Sequence, residues 1–349
     1  MYKNYFKKFF HWKLIISYLT VILGLTVVLT TTLGAAHISP WVVFKILVAK
    51  LPLIKNLIIP SWSVGEATII LEIRLPRIIL GMLVGAALGV AGTAMQGLFK
   101  NPMADPYITG ISSGAALGAI FTIVFGLTIF GFYTMPLMAF MGGAATIFLV
   151  YNIASVRGKL PVSTLLLAGI AVTLFLSAII SFLMYTAGEK LHGIVFWLMG
   201  GLWGRNWNHV MMVVPFICFG TILIYIFARD LNVILLGEEP AQWLGIEVET
   251  LKKIIILSTS LTVAAAVSVS GIIGFVGLVI PHIMRILVGP DHRVLLPSSA
   301  LVGGIFLIWA DTLARTVIAP TEIPVGIITA LFGAPFFIYL LRTKKRSMF

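Results

Sequence analysis

Runs of about twenty apolar residues, each closed by a polar or proline-containing break, recur along the whole of this 349-residue chain. A helix of that length matches a hydrocarbon core roughly 30 Å thick. Ten runs fit the description, near 14–33, 75–99, 107–128, 134–153, 161–186, 207–228, 252–272, 274–288, 296–316 and 324–342. Inside a bilayer only helices and closed barrels satisfy their own backbone, and these long, unalternating runs read as helices. With 60% hydrophobic and 10% charged residues, the composition excludes a soluble domain. The expected fold class is all-α: a polytopic membrane protein with ten transmembrane helices, forming a single domain over 1–349. The run at 274–288 is short and contains Pro281, which predicts a broken or tilted helix. The first run follows the basic stretch MYKNYFKKFFHWK and exceeds the 7–15 residues usual in a signal peptide, so it is expected to be a retained span.

Loop charge orients the bundle. Of the chain's 24 Lys and Arg residues, one set of alternate loops holds sixteen, including Lys3, Lys13, Lys100, Arg157, Lys252, Arg285 and Lys344; the other holds Lys45, Lys50, Lys55, Arg74, Arg77, Lys190, Arg205 and Arg315. The richer set belongs in the cytosol, which places both termini inside and agrees with an even number of spans. The net charge of +12 is thereby a topological signal rather than a nucleic-acid footprint. Two outer segments stand apart from the spans. SPWVVFKILVAKLPLIKNLIIP suits a helix lying in the membrane interface, and the Trp- and Gly-rich GEKLHGIVFWLMGGLWGRNWN suits a surface or re-entrant helix beside an aromatic belt. Two glycine ladders, Gly81, Gly85, Gly89 and Gly110, Gly114, Gly118, predict flat faces where neighbouring backbones approach closely.

Several chemistries are excluded. There is no G-x-x-x-x-G-K-[ST] phosphate loop, no histidine pair at i,i+3 or i,i+4, no G-x-S-x-G and no H-E-x-x-H, so neither a cofactor nor a metal site nor covalent catalysis is expected. Cys218, alone in an apolar run, reads as packing. Asp311 is the one acid expected within a span, and Arg315 follows at i,i+4; a neutralised pair near the outer end is the simpler reading, a coupling-ion site the other. Energy for any transport would then come from outside this chain.

LLGEEPAQWLGIEVETLKK, a polar island between two apolar runs, supplies a contact for that purpose. GEEPAQWLG reads as a short cytosolic helix, with Glu238 and Glu239 at its positive end, Pro240 in its first turn and Gly245 as its stop; IEVETLKK leads into the next span. Such turns can enter a groove on a soluble partner, or can be an ordinary solvated loop.

Longer motifs carry a resemblance. RLPRIILGMLVGAALGVAGTAMQGLFKNPMADPYITGISSGAALG, LLLAGIAV, FWLMGGLWGRNW, LGEEPAQWLG, GFVGLVIPHIMRILVGPDHRVLLPSSALVGG and ADTLARTVIAPTEIPVGIITALFGAPFFIYLL occur in this order from about residue 70 onward. Together they resemble the FecCD-type permease subunits of iron-siderophore, haem and vitamin B12 ABC importers. The resemblance implies a type II importer permease fold of ten helices per subunit, in the prokaryotic cytoplasmic (inner) membrane. It also implies a homodimer with the pathway on its two-fold axis, two cytosolic ABC ATPase subunits and an outer-face substrate-binding protein.

Residue by residue, the resemblance implies an ATPase-coupling helix at Gly237, Glu238, Glu239, Pro240, Ala241, Gln242, Trp243, Leu244 and Gly245, within a coupling region near 236–253. It implies docking of the binding protein on Arg74, Arg77 and Arg315, and inner gates at Asn101 and Met103 and at Val162 and Ser163. Val162 departs from relatives that carry a hydroxyl there. Ala168, Gly169, Gly326 and Ala330 would line the route, although tight helix packing accounts for them equally well. The substrate classes the resemblance implies are ferric siderophore, haem, cobalamin and molybdate, which the residues do not distinguish. An ion-coupled secondary transporter is the alternative class, and a membrane anchor for a soluble enzyme a more distant one.

Overall fold

The computed structural model describes residues 2–34, 36, 38–50 and 61–345. Lys55, expected on the interfacial segment, and Arg346, expected inside, lie outside the described residues. In chain order the helices are α1 (Tyr2–Thr32), α2 (Pro40–Ala49), α3 (Val64–Thr68), α4 (Leu75–Leu98), α5 (Ile111–Phe125), α6 (Thr134–Ala154), α7 (Val162–Thr186), α8 (Leu191–Leu198), α9 (Trp207–Ile226), α10 (Ala228–Ile234), α11 (Glu238–Trp243), α12 (Val248–Ser270), α13 (Val276–Val288), α14 (His292–Thr316) and α15 (Val325–Lys345). Among the described residues, seven helical stretches are long and apolar enough to cross a membrane, and the shorter apolar helices α5, α13 and α15 fall where the remaining three expected spans lie. At 1.5 Å per residue, α13 is only about 20 Å long. The shortfall precedes Val276: α12 ends at Ser270 and the backbone is irregular to Phe275, which holds a left-handed φ of 70°. Pro281 sits inside a continuous α13 and breaks nothing, which corrects the expectation. The irregular stretch is held by protein. Tyr107 Oη donates to Ile273 O at 3.0 Å, and Gly201 N–H donates to Ser270 O at 2.7 Å. Non-helical backbone survives in an apolar setting only where it is covered in this way.

The glycine ladders do what their spacing predicts. A β-carbon at Gly85 would collide with the Gly303 carbonyl, and one at Gly89 with the Ser299 carbonyl, so α4 and α14 touch backbone to backbone. Gly114 and Gly118 likewise meet the carbonyls of Gly142 and Met138, joining α5 to α6. Gly110 is not part of that face: it caps α5 from a left-handed conformation, φ 80°, which a residue with a β-carbon adopts at a cost. α4 and α12 are the most enclosed spans, whereas α1, α6, α7 and α9 keep wide apolar faces uncovered within the monomer.

In the segment expected to lie outside, α2 packs Val43 and Ile46 against Ile38 and Ile70, while Trp41 and Phe44 stack at 5.7 Å on its exposed face with Lys45 beside the indole. A helix is thus present over Pro40–Ala49, the described part of the segment read as interfacial. α8, in the second outer segment, buries Ile194 and Trp197 against the bundle.

Candidate functional site

Polar chemistry gathers at two ends of the bundle, called outer and inner after the sidedness that the loop charges predict. At the outer end α3, whose start is capped by a reciprocal Ser63–Glu66 pair, continues into α4 through a π turn, Ile69–Arg74. An extra residue per turn re-aims the side chains around it and is frequent at functional sites. Arg74 and Arg77 meet Arg315 from α14, and the three line a pocket of 230 Å³ with Gly34, Ala319 and Glu322.

The three arginines that the resemblance singles out for docking converge here, and each is engaged by groups of the chain itself. Arg77 Nε and Nη2 grip Asp311 at 2.9 and 2.8 Å, and Arg77 Nη1 reaches Glu322 at 2.9 Å. Asp311 makes its short contacts across helices with Arg77; the expected i,i+4 pair with Arg315 is also present, but as the longer ion pair, with Arg315 Nε 3.9 Å from the carboxylate. Arg315 has turned toward α1, donating from Nη1 to Leu33 O at 2.8 Å and from Nη2 to Thr30 O at 2.7 Å. Arg74 does the same, with Nη1 on Thr31 O at 2.8 Å and Nη2 on Ala36 O at 2.6 Å. The final carbonyls of a helix have no intrahelical donors and carry its negative dipole end, so two guanidinium groups there form a C-terminal cap. Arg74 and Arg315 are buried, and of the two acids only Glu322 reaches solvent, with its side chain 37% exposed. The sequence reading missed Glu322, although an acid in the outer loop PTEIP seven residues beyond Arg315 was a signal for it.

At the inner end α10 and α11 link α9 to α12. α10 was also missed, having been divided between a span and a loop; the three-residue spacing of Ala228, Leu231 and Ile234, all buried, marks it. α11 has the predicted form. Gly237 leads in at φ 132°, Glu238 and Glu239 occupy the first turn, and Gly245, at φ 86°, ends it. Ala241 is fully buried beneath the turn, while Trp243 is 85% exposed with Leu236 and Leu244 uncovered beside it. Lys252, 3% exposed, anchors the turn through Glu238 at 2.9 Å and Glu249 at 3.0 Å.

The two expected gate segments lie in the loop after α4 and at the start of α7. Asn101 Oδ1 accepts from Met103 N at 2.9 Å in a tight turn, and both side chains are exposed. Asp105 caps the following 3₁₀ turn, accepting from Tyr107 N at 2.8 Å, and desolvation pushes its carboxyl up to about 6. Val162, half-buried, and Ser163, exposed, open α7 behind Pro161. Of the four residues expected along the route, Gly169 packs on the Ile108 carbonyl and Gly326 on the Met199 carbonyl, so tight packing accounts for both; Ala168 is buried and Ala330 half-buried.

A multi-pass helical bundle with a glycine-tight core, a cation pocket at one end and an anchored, tryptophan-bearing turn at the other has the build of a transport permease. The chain matches the FecCD transport family over residues 21–343 and belongs to it. It is 50% identical over 274 residues to the cobalamin import system permease protein of Halobacterium salinarum, covering 78% of this chain and 73% of that one. It is 42% identical over 281 residues to the hemin transport system permease protein of Yersinia pestis, covering 79% and 84%. Among solved structures, a metal-chelate type ABC transporter chain in an inward-facing conformation is similar at 33% identity and a TM-score of 0.82, over 94% of this chain and 99% of the other. The protein is a permease subunit of an ABC importer.

Proposed function

We propose that two copies of this chain, paired about a two-fold axis, form the conduit of a binding-protein-dependent importer in a prokaryotic inner membrane, with both termini in the cytosol. Two ABC ATPase subunits grip α11 and supply the energy. An outer binding protein delivers a metal chelate of the siderophore, haem or cobalamin class, in keeping with the relatives' cobalamin and hemin systems. The carrying observation is the inner turn: an indole 85% exposed on a helix otherwise fixed by Ala241 and Lys252. A rigid turn that offers Leu236, Trp243 and Leu244 to solvent fits burial in a partner's groove.

Docking at the outer face engages the pocket of Arg74, Arg77 and Arg315. Arg77 is the exchangeable cation, keeping Asp311 while it trades the half-exposed Glu322 for a carboxylate of the binding protein; Arg74 and Arg315 hold the end of α1 and add to the positive field. The inner gate is made by Asn101 and Met103 with Val162 and Ser163. Pro102 and Pro106 stiffen the first of these segments, which suits it to act as a shutter. The apolar face of α7 left open in the monomer, including Leu167, Ile170 and Leu174, supports pairing with a second copy along the route.

Reconstitution with the ATPase and binding protein tests the reading. Uptake of chelate that vanadate abolishes and a protonophore leaves intact supports it; uptake that collapses with the proton gradient instead supports an ion-coupled transporter.

A further inference from the structure

The inner turn and the α7 end of the gate are separated by 75 residues of sequence or more, yet one line of polar contacts joins them. Glu238 Oε2, on α11, accepts from Lys252 Nζ at 2.9 Å. The same ammonium donates to Glu249 Oε1 at 3.0 Å, one turn back on α12. The other oxygen of that carboxylate, Glu249 Oε2, accepts from the Leu160 backbone N–H at 2.7 Å. Leu160 is buried and precedes Pro161, the N-cap of α7, so Val162 and Ser163 follow directly on the clamped amide.

We propose that Glu249 is the positioning residue that carries movement of the ATPase-facing turn to the inner gate, through the chain Glu238, Lys252, Glu249 and Leu160. The inference rests on the reading of α11 as the docking turn.

Burial makes the chain stiff. Lys252 is 3% exposed, so a shift of α11 that withdraws Glu238 leaves a buried ammonium short of a partner unless Lys252 follows. Glu249 cannot follow Lys252 freely, because its second oxygen holds the entrance to α7. Pro161 has its φ fixed by its ring, and so passes a displacement of Leu160 into the first turn of α7 with little slack. A contact that served stability alone would need Glu249 to face only one of these partners. Its two oxygens face both.

The test uses the assembled complex of permease and ATPase subunits in lipid nanodiscs, on a C218A background. An S163C reporter is labelled with a soluble maleimide, with and without nucleotide. In the parent, nucleotide changes the labelling rate. E249A and E249Q are expected to retain the ATPase subunits and their hydrolysis, lose the nucleotide dependence of labelling, and drop uptake per ATP by about tenfold, within the usual range of site-to-site coupling. E249Q keeps an acceptor for the Leu160 amide while losing the charge that holds Lys252, so it reports on the link even if E249A fails to fold. E238Q cuts the chain at its first step and is expected to flatten the labelling too.

A folded E249Q whose labelling still follows nucleotide overturns the proposal. W243A separates the two possible failures. If W243A sheds the ATPase subunits while E249Q still labels as the parent does, the relay alone falls; if W243A keeps them bound at parental strength, the docking turn falls and the relay with it.

Discussion

The outer arginine pocket and the inner α11 turn both gather charge at a helix end, but they arrange it oppositely. At the outer end the cations are inward and consumed. Arg77 closes on Asp311, and Arg74 and Arg315 finish α1 by donating to its last carbonyls, so that most of the charge is engaged within the fold and only Glu322 keeps a substantial exposure. At the inner end the cation is again buried, at Lys252, but the groups it anchors hold an apolar patch out into solvent. A buried, fully paired charge rigidifies; an exposed indole on a rigid base invites a partner. Resemblance alone assigns docking to both ends, and the structure gives the two ends opposite arrangements of charge and apolar surface.

This contrast can be broken most forcefully at Asp311. D311A leaves Arg77 buried beside only the half-exposed Glu322, and is expected to cost about 3–5 kcal/mol. A large fall in thermal midpoint in detergent, with ATPase binding intact in the protein that remains folded, would fit an outer end built into the fold. Unchanged melting would make the cluster a free docking surface after all.

W243A is expected to do the reverse. Stability should stay within about 0.5 kcal/mol, as for an exposed residue, while affinity for the ATPase subunits falls by about 2 kcal/mol, the effect of truncating an interfacial hot-spot tryptophan. Titration of ATPase against nanodisc-held permease reads this directly, and equal loss of stability would place Trp243 in the fold instead. Replacing Glu238 and Glu239 with lysine together with W243A should, in addition, uncouple hydrolysis from uptake.

E322Q sharpens the outer half of the comparison. Neutralising the exposed partner of Arg77 should cost little stability, about 1 kcal/mol or less, and should raise affinity for the binding protein several-fold, with a steeper salt dependence. Reversing both Arg74 and Arg77 to glutamate should weaken that docking and also destabilise the end of α1; affinity that survives it would remove the pocket from the docking site.

A pH effect is expected beside Met103. The Asp105 carboxyl titrates near 6 when folded against an ordinary value of 3.8, so the folded state holds its proton across that interval and stability declines as pH rises from about 4 to 6. D105N keeps the cap, since asparagine serves equally well in that position. It should abolish the decline, measurable as melting temperature against pH.

Much of this was legible in residues that act locally. Glycine every fourth position foretold the α4–α14 and α5–α6 contacts, because the missing β-carbon is a property of the residue wherever it falls. The form of α11 was legible too, since glycine on either side and acids in the first turn are instructions confined to nine residues. Apolar run length determined the number of spans, because bilayer thickness sets it. What the sequence left undecided was every choice of partner made across distance. Asp311 had Arg315 one turn away, yet its hydrogen-bonded contact is with Arg77, more than 230 residues earlier in the chain, while Arg315 keeps a longer ion pair and donates to carbonyls at the end of α1 that only the packed bundle brings into reach. Glu249 clamps the Leu160 amide for the same reason: a helix end and a carboxylate are complementary in any sequence, but which ones meet is decided by the bundle that carries them.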